Sequence, residues 1–88
     1  MKTIPLTQGK VAIVDDEDYE RISSHKWYAQ KTVRGGWYAA RRGETTKGKW
    51  ETFYLHREIL RVSMHPEVDH IDGDGLNNQR SNLRVQVP

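Results

Sequence analysis

Residues 68–85 hold the side chains whose types and spacing could do chemistry. They read V-D-H-I-D-G-D-G-L-N-N-Q-R-S-N-L-R-V, with an Asp-His pair ahead of two Asp-Gly steps and a later Asn-Leu-Arg. Phosphodiester hydrolysis uses a carboxylate for a divalent cation, a neutral imidazole as general base and an amide that orients the imidazole. The pattern predicts a strand, a tight polar loop and a second strand, with Asp69 and His70 ending the first strand.

The stretch D-H-I-D-G-D-G-L-N-N-x-x-S-N-L-R-V resembles the HNH endonucleases of phages and mobile introns, which use a ββα-metal site. The resemblance implies that His70 is the general base and that Asp69 is a ligand of Mg²⁺ or Mn²⁺. It also implies that Asn82 belongs to the catalytic group, ties the loop together and orients the histidine. Each residue has a structural alternative: a turn histidine, a strand-end aspartate and an asparagine that bonds backbone.

The resemblance is incomplete on its C-terminal side. In the family, the strand containing Asn-Leu-Arg-Val leads into a helix that carries the second metal ligand. That position would fall beyond Pro88, so we expect an incomplete ββα-metal unit and weak or absent DNA cleavage by this chain. His25, His56 or His65 could supply a ligand, but nothing in their spacing indicates that they do.

The residues before the motif predict the elements that must position it. Periodicity and turn residues predict strands at 4–6, 10–14, 27–31, 37–41 and 50–55, and short helices at 16–23 and 55–60. The three later strands, within residues 13–62, resemble the AP2-like accessory module that precedes HNH motifs in phage enzymes. The predicted fold class is α+β: a small antiparallel meander with short helices (residues 1–62), followed by an incomplete HNH hairpin (residues 63–88).

Basic residues are concentrated between positions 26 and 49, where they alternate with aromatic residues, although the net charge is +2. Such a face suits binding to a phosphate backbone, and the alternative is a solvated sheet face above an aromatic core. We therefore expect double-stranded DNA as a partner. The candidate phosphate-binding residues are Lys31, Arg34, Arg41, Arg42, Lys49, Arg80 and Arg84.

Composition excludes several functional classes. The chain has no cysteine, so it has neither disulfides nor thiolate metal sites. It also lacks a phosphate-binding glycine loop and a serine nucleophile elbow. No apolar run could span a membrane. The family resemblance implies a cytoplasmic protein of a bacterial host, encoded by a phage or mobile element, and a homodimer is one expected form. Three hypotheses remain: an HNH endonuclease or nickase, a non-catalytic DNA-binding module, and a protein-interaction domain.

Overall fold

A computed structural model describes residues 1–62 and 67–86 of the chain. In chain order its elements are β1 (Lys2–Pro5), β2 (Val11–Val14), α1 (Asp16–Ser23), β3 (Tyr28–Lys31), β4 (Trp37–Glu44), β5 (Trp50–Tyr54), α2 (Leu55–Leu60), β6 (Val68–His70), a 3-10 turn (Arg80–Asn82) and β7 (Leu83–Val85). The described strands form three antiparallel sheets, ordered β1-β2, β3-β4-β5 and β6-β7. The predicted α+β class is confirmed.

Local chemistry explains where the first elements begin and end. The β1-β2 hairpin turns through Gln8 and Gly9, whose φ angles of 60° and 69° lie in the left-handed region that glycine tolerates. Helix α1 opens with Asp16, Glu17 and Asp18, whose negative charges favour the positive end of a helix. Within the described residues, no helix is long and apolar enough to cross a bilayer.

The sequence repeats a Trp-Tyr-Ala triplet at residues 27–29 and 37–39, in or beside strands β3 and β4, but equivalent residues do not all stand opposite each other. Only the alanines do so: Ala29 pairs with Ala39, whereas Trp37 pairs with Lys31. The antiparallel direction reverses the second triplet, so the two tryptophans end up apart. Trp27 is buried in the core, and its indole nitrogen donates a hydrogen bond to the backbone oxygen of Ile22 at 2.8 Å.

One apolar core joins the described parts of the chain. It contains Ile4, Ala12, Val14, Ile22, Trp27, Ala39, Leu55, Ile59 and Leu83. Leu83 belongs to β7, while the other members come from the first 62 residues. Residues 1–62 and 67–86 therefore share a core, and the proposed boundary between residues 62 and 63 stays a prediction.

The loop between β6 and β7 is fixed to β2 by backbone hydrogen bonds. The amide of Ile13 donates to the oxygen of Leu76 at 2.8 Å, and the amide of Asn78 donates to the oxygen of Ile13 at 2.7 Å. These bonds form a parallel bridge between Ile13 and Asn77. On the other side of the loop, Gly75 lies so close to β4 that a Cβ atom would stand 2.1 Å from the backbone oxygen of Trp37. The loop is therefore held in a fixed position between β2 and β4.

We predict that Gly75→Ala destabilises the protein by about 1–3 kcal/mol, because the added methyl group would overlap backbone atoms that cannot move independently. For a domain of this size, that corresponds to a fall in Tm of roughly 4–20 °C, measurable by circular dichroism. Gly36→Ala is the matched control, since its Cβ would meet only the hydroxyl oxygen of Thr32 at 3.5 Å. Equal melting temperatures for both variants would contradict the close packing of Gly75 against β4.

Candidate functional site

His70 ends β6 and is 7% exposed. Its Nε2 atom lies 2.8 Å from Oδ1 of Asn78. An amide oxygen only accepts hydrogen bonds, so Nε2 is the donor in this contact. The hydrogen bond orients the ring, and in a neutral imidazole it would leave Nδ1 as the basic atom.

The expectation that Asn82 orients the histidine needs correction, because the observed partner of His70 is Asn78. Asn78 is 0% exposed, and its backbone amide is fixed by a hydrogen bond to the oxygen of Ile13. The sequence alone does not distinguish the Asn77-Asn78 pair from asparagines of an ordinary loop. Asn78 is identified only by the hydrogen bonds that join the loop to β2. Sequence analysis therefore missed the residue that holds the candidate base.

Asn82 does tie the loop together, as expected. Its Oδ1 accepts a hydrogen bond from the amide of Asp72 at 3.0 Å, and its Nδ2 donates to Oδ1 of Asp72 and to the oxygen of Asn77, both at 2.9 Å. Bonds from Asn77, Asp74 and Asn82 keep the pKa of the Asp72 carboxyl below its ordinary value. The assignment of Asn82 to the catalytic group stays a prediction.

Two aromatic rings contact the imidazole of His70. Tyr38 stacks on it with a centroid distance of 5.8 Å and an interplanar angle of 25°, and His56 meets it edge-on at 4.8 Å. His56 is 4% exposed and its Nδ1 has no hydrogen-bond partner. Burial, followed by the charge of His70, lowers the pKa of His56 to about 3. His56 is therefore a neutral packing residue at pH 7.

A groove of about 340 Å³ opens beside this cluster. Its lining includes Arg34, Trp37, Tyr38, Asp69 and His70. A second groove of about 390 Å³ shares Arg34, Tyr38 and Asp69 with the first. The tip of the β3-β4 hairpin and strand β6 thus bring one exposed guanidinium, one carboxylate and one imidazole to the same concave surface.

Asp69 is paired across the β6-β7 sheet. It stands opposite Arg84 in the register, and its Oδ2 accepts hydrogen bonds from Nη2 of Arg84 at 2.7 Å and from Nε2 of Gln86 at 3.3 Å. Two residues assigned separately from sequence, a cation ligand and a phosphate contact, therefore bind each other.

Arg41 and Arg80 both pair with carboxylates of the protein, although the Arg80 side chain remains 45% exposed, and their role in phosphate binding stays a prediction. Arg41 pairs with Glu58 and lies over the rings of Trp27 and Phe53, at 5.5 and 4.6 Å from their centroids. The aromatic neighbours of Arg41 therefore give it cation–π contacts within the fold.

Arg80 binds the acidic start of helix α1. Its Nε and Nη2 donate to the two carboxylate oxygens of Asp18 at 3.0 and 2.8 Å, and its amide donates to Asp15. The hydrogen bond from Arg80 holds the pKa of the buried Asp18 carboxyl below its ordinary value. Asp15, Glu17 and Asp18 place carboxylate oxygens within 4.8 Å of one another, but Arg80 supplies the balancing charge. The cluster is thus part of a structural ion-pair network.

The remaining candidate cations stay at the surface. Lys31, Arg34, Arg42 and Lys49 are exposed, and among these four Arg34 lines the groove beside His70. His25 is also exposed, as expected for a loop histidine, whereas His65 lies outside the described residues. The candidate phosphate-binding residues therefore divide into two sets. Arg41, Arg80 and Arg84 pair with carboxylates of the protein, and the other four are exposed cations of the meander.

The chain matches no protein-family model, no curated protein and no solved structure. Its function is therefore inferred from the geometry of the site together with the sequence motif.

We predict that Asn78→Ala releases His70, whereas Asn82→Ala loosens the loop and leaves the His70 contact in place. In the wild-type protein the Nε2 proton of His70 should be visible by ¹H–¹⁵N NMR, because it is hydrogen-bonded and shielded from water. Asn78→Ala should abolish this signal and Asn82→Ala should retain it. Each variant should lose about 1–3 kcal/mol of stability through its missing hydrogen bonds. A persistent signal in Asn78→Ala would show that another group holds the ring.

Proposed function

We propose that the protein is an HNH-type DNA endonuclease or nickase with His70 as its general base. The observation that carries the proposal is the hydrogen bond from Nε2 of His70 to Asn78, which leaves Nδ1 as the basic atom of an imidazole that lines the groove. Support also comes from the D-H-I-D-G-D-G-L-N-N-x-x-S-N-L-R-V resemblance. Together these support the proposal of phosphodiester hydrolysis over DNA binding alone.

In the proposed reaction, Arg34 binds a phosphate of the DNA, since a guanidinium matches two phosphate oxygens. Nδ1 of His70 removes a proton from a water molecule, whose oxygen attacks phosphorus while the bond to the leaving sugar oxygen breaks. The leaving oxygen takes a proton from solvent water, and the imidazolium returns its own proton to solvent. The imidazolium formed on His70 lies over the ring of Tyr38, and an aromatic face stabilises a cation. A well-placed general base typically contributes about 10²–10⁴-fold to the rate.

A divalent cation fits this site only if phosphate oxygens of the substrate supply some of its ligands. Among the described residues, Asp69 belongs to no group of three ligating side chains, so a cation held by the protein alone does not fit. Mg²⁺ is commonly bound by one or two carboxylates, water and substrate phosphate, and Asp69 supplies one carboxylate. When bound, Mg²⁺ or Mn²⁺ would stabilise charge on the leaving oxygen.

The proposed partner is double-stranded DNA, bound through phosphates by the exposed cations of the meander. We also propose, from the family resemblance, a cytoplasmic location in a bacterial host and an origin in a phage or mobile element. A homodimer would present two such sites to the two strands of a duplex.

We predict slow nicking of supercoiled plasmid in the presence of Mg²⁺ or Mn²⁺. His70→Ala should reduce the rate by about 10²-fold or more, because it removes the general base. Arg34→Gln should reduce the rate strongly, whereas Arg42→Gln, which removes the same charge outside the groove, should affect mainly DNA binding. The measurement is plasmid relaxation followed on gels. Nicking that survives His70→Ala would reject His70 as the base.

A non-catalytic DNA-binding module is the second candidate. The observation that favours it is the engagement of Asp69 by Arg84, which leaves the expected cation ligand already paired. This candidate shares the DNA-binding surface of the first but predicts no nicking under any metal condition.

Both candidates predict salt-dependent binding to duplex DNA. Each neutralised phosphate contributes about -0.9 to the slope of log K against log salt. Replacing Lys31, Arg42 or Lys49 with Gln should each reduce the magnitude of the slope by about 1, whereas Arg80→Gln should leave it unchanged because Arg80 is bound to Asp18. Fluorescence anisotropy at several salt concentrations measures the slope. Salt-independent binding, or none at low salt, would leave the protein-interaction hypothesis.

A further inference from the structure

Strand β5 is an open edge of the β3-β4-β5 sheet. Among the described residues it pairs with β4 alone, and no loop or side chain binds its backbone on the other side. Its five residues read W-E-T-F-Y and include neither proline nor lysine. Such an edge presents unpaired amide and carbonyl groups to any strand that can align with it.

The other edges of the described sheets are protected. At the opposite edge of the same sheet, the amide of Ala29 donates to Oγ1 of Thr7 at 3.0 Å, and its oxygen accepts from Nε2 of Gln8 at 3.3 Å. Strand β1 carries Lys2 and Pro5, β2 is bridged to the polar loop, and β6 and β7 have three residues each. Lysine, proline, short strands and covering segments all prevent edge pairing. Strand β5 has none of these protections.

We propose that the outer edge of β5 binds β5 of a second copy of this chain, antiparallel about a twofold axis at Thr52. The two meanders would then form one six-stranded sheet, ordered β3-β4-β5-β5-β4-β3. This contact is independent of the proposed cleavage reaction, and it defines which surface a homodimer would use.

Charge and strand length select the register. With the axis at Thr52, all five residues of β5 pair, Trp50 stands opposite the partner's Tyr54 twice, and the two threonines meet. Aromatic pairs and threonine pairs at opposite positions stabilise antiparallel sheets. An axis at Glu51 would instead set two carboxylates opposite each other, which is unfavourable. Larger shifts bring the turn at 46–49 or helix α2 opposite the strand.

The same contact would cover apolar surface that the monomer leaves open. Trp50 is 62% exposed, and its neighbour on β4 is Glu44, which leaves most of the indole uncovered. A groove of about 170 Å³ lies beside β5, with Phe53, Tyr54 and Val62 among its lining residues. Burial of aromatic side chains is a principal source of stability at protein interfaces.

The dimer would place both candidate sites on the same side of the sheet. Side chains two residues apart share a face of a strand, so Tyr38 and Arg42 lie on one face of β4, where Tyr38 stacks on His70. The twofold axis of an antiparallel pair of identical strands is perpendicular to the sheet, and it therefore keeps this face on the same side in both copies.

The first test is sedimentation equilibrium of the full chain without DNA or metal, up to about 1 mM because such a contact belongs to the small, weak class of interfaces. The wild-type chain should dimerise with rising concentration. Trp50→Ala should raise the Kd about two- to thirtyfold, since it removes two aromatic pairs. Thr52→Glu should raise it about fivefold or more, because two carboxylates would meet at the axis.

The matched control is Thr46→Glu, which adds the same charge in the exposed turn before β5 and should leave the Kd unchanged. Thr52→Glu should keep the monomer folded, because Arg42 already donates to Oγ1 of Thr52 at 3.1 Å and can pair with the new carboxylate. Circular dichroism checks the fold of each variant. Dimerisation that neither Trp50→Ala nor Thr52→Glu weakens would overturn the proposal, because the contact would then lie on another surface.

The second test is disulfide cross-linking, which is clean because the chain has no cysteine. Directly opposite residues of an antiparallel pair have Cα atoms about 4.5–5.5 Å apart, within the range of a disulfide. Thr52→Cys should therefore form a disulfide-linked dimer in a glutathione redox buffer. Glu51→Cys is the control for the register, since its two copies would be roughly 8 Å apart, beyond that range.

A chain that is monomeric at every concentration, or cross-linking of Thr52→Cys that is no faster than that of Glu51→Cys, would overturn the proposed contact. A monomeric chain would leave the edge of β5 to a strand of another protein. Plasmid nicking and its loss in His70→Ala are measured separately, so either proposal can fail without the other.

Discussion

The backbone bridge between Ile13 and Asn77 is the contact on which the geometry of the site depends. It joins β2, whose Val14 lies in the core, to a loop of polar residues that has little apolar surface of its own. The same two hydrogen bonds fix Asn78, which in turn holds His70. A polar loop is ordered only when its backbone groups find partners, and here the partners belong to a strand that is already fixed.

The fold compensates for a small core with polar connections between elements. A chain of this length buries a modest share of its surface and has no cysteine for disulfides. Arg21 links the helices by donating to the backbone of Glu58 and to the carboxylate of Asp18, while Arg80 links Asp18 to the loop. Buried Asp18 is thus satisfied from two directions, as a buried charge requires.

The arginines of this chain divide according to what faces them. Arg41 is covered by Trp27, Phe53 and Glu58, and Arg80 is bound to Asp18, so both stabilise the fold. Arg34 at the hairpin tip remains exposed to the groove. Arg84 stands between these cases, since its partner Asp69 is itself a candidate ligand. Positive charge in the sequence therefore does not by itself identify a nucleic-acid surface.

The sequence alone determined the elements. Apolar periodicity and turn residues gave both helices, the order of the strands and the polar loop after His70, because these follow from local propensity and spacing. It also placed Asp69 and His70 together, since they are neighbours in the chain. Tertiary structure decided which asparagine meets the histidine and which cations are engaged. Asn78 and Asn82 have the same side chain, so the sequence does not distinguish them. Asn78 meets the histidine because its backbone binds Ile13, 65 residues earlier in the chain.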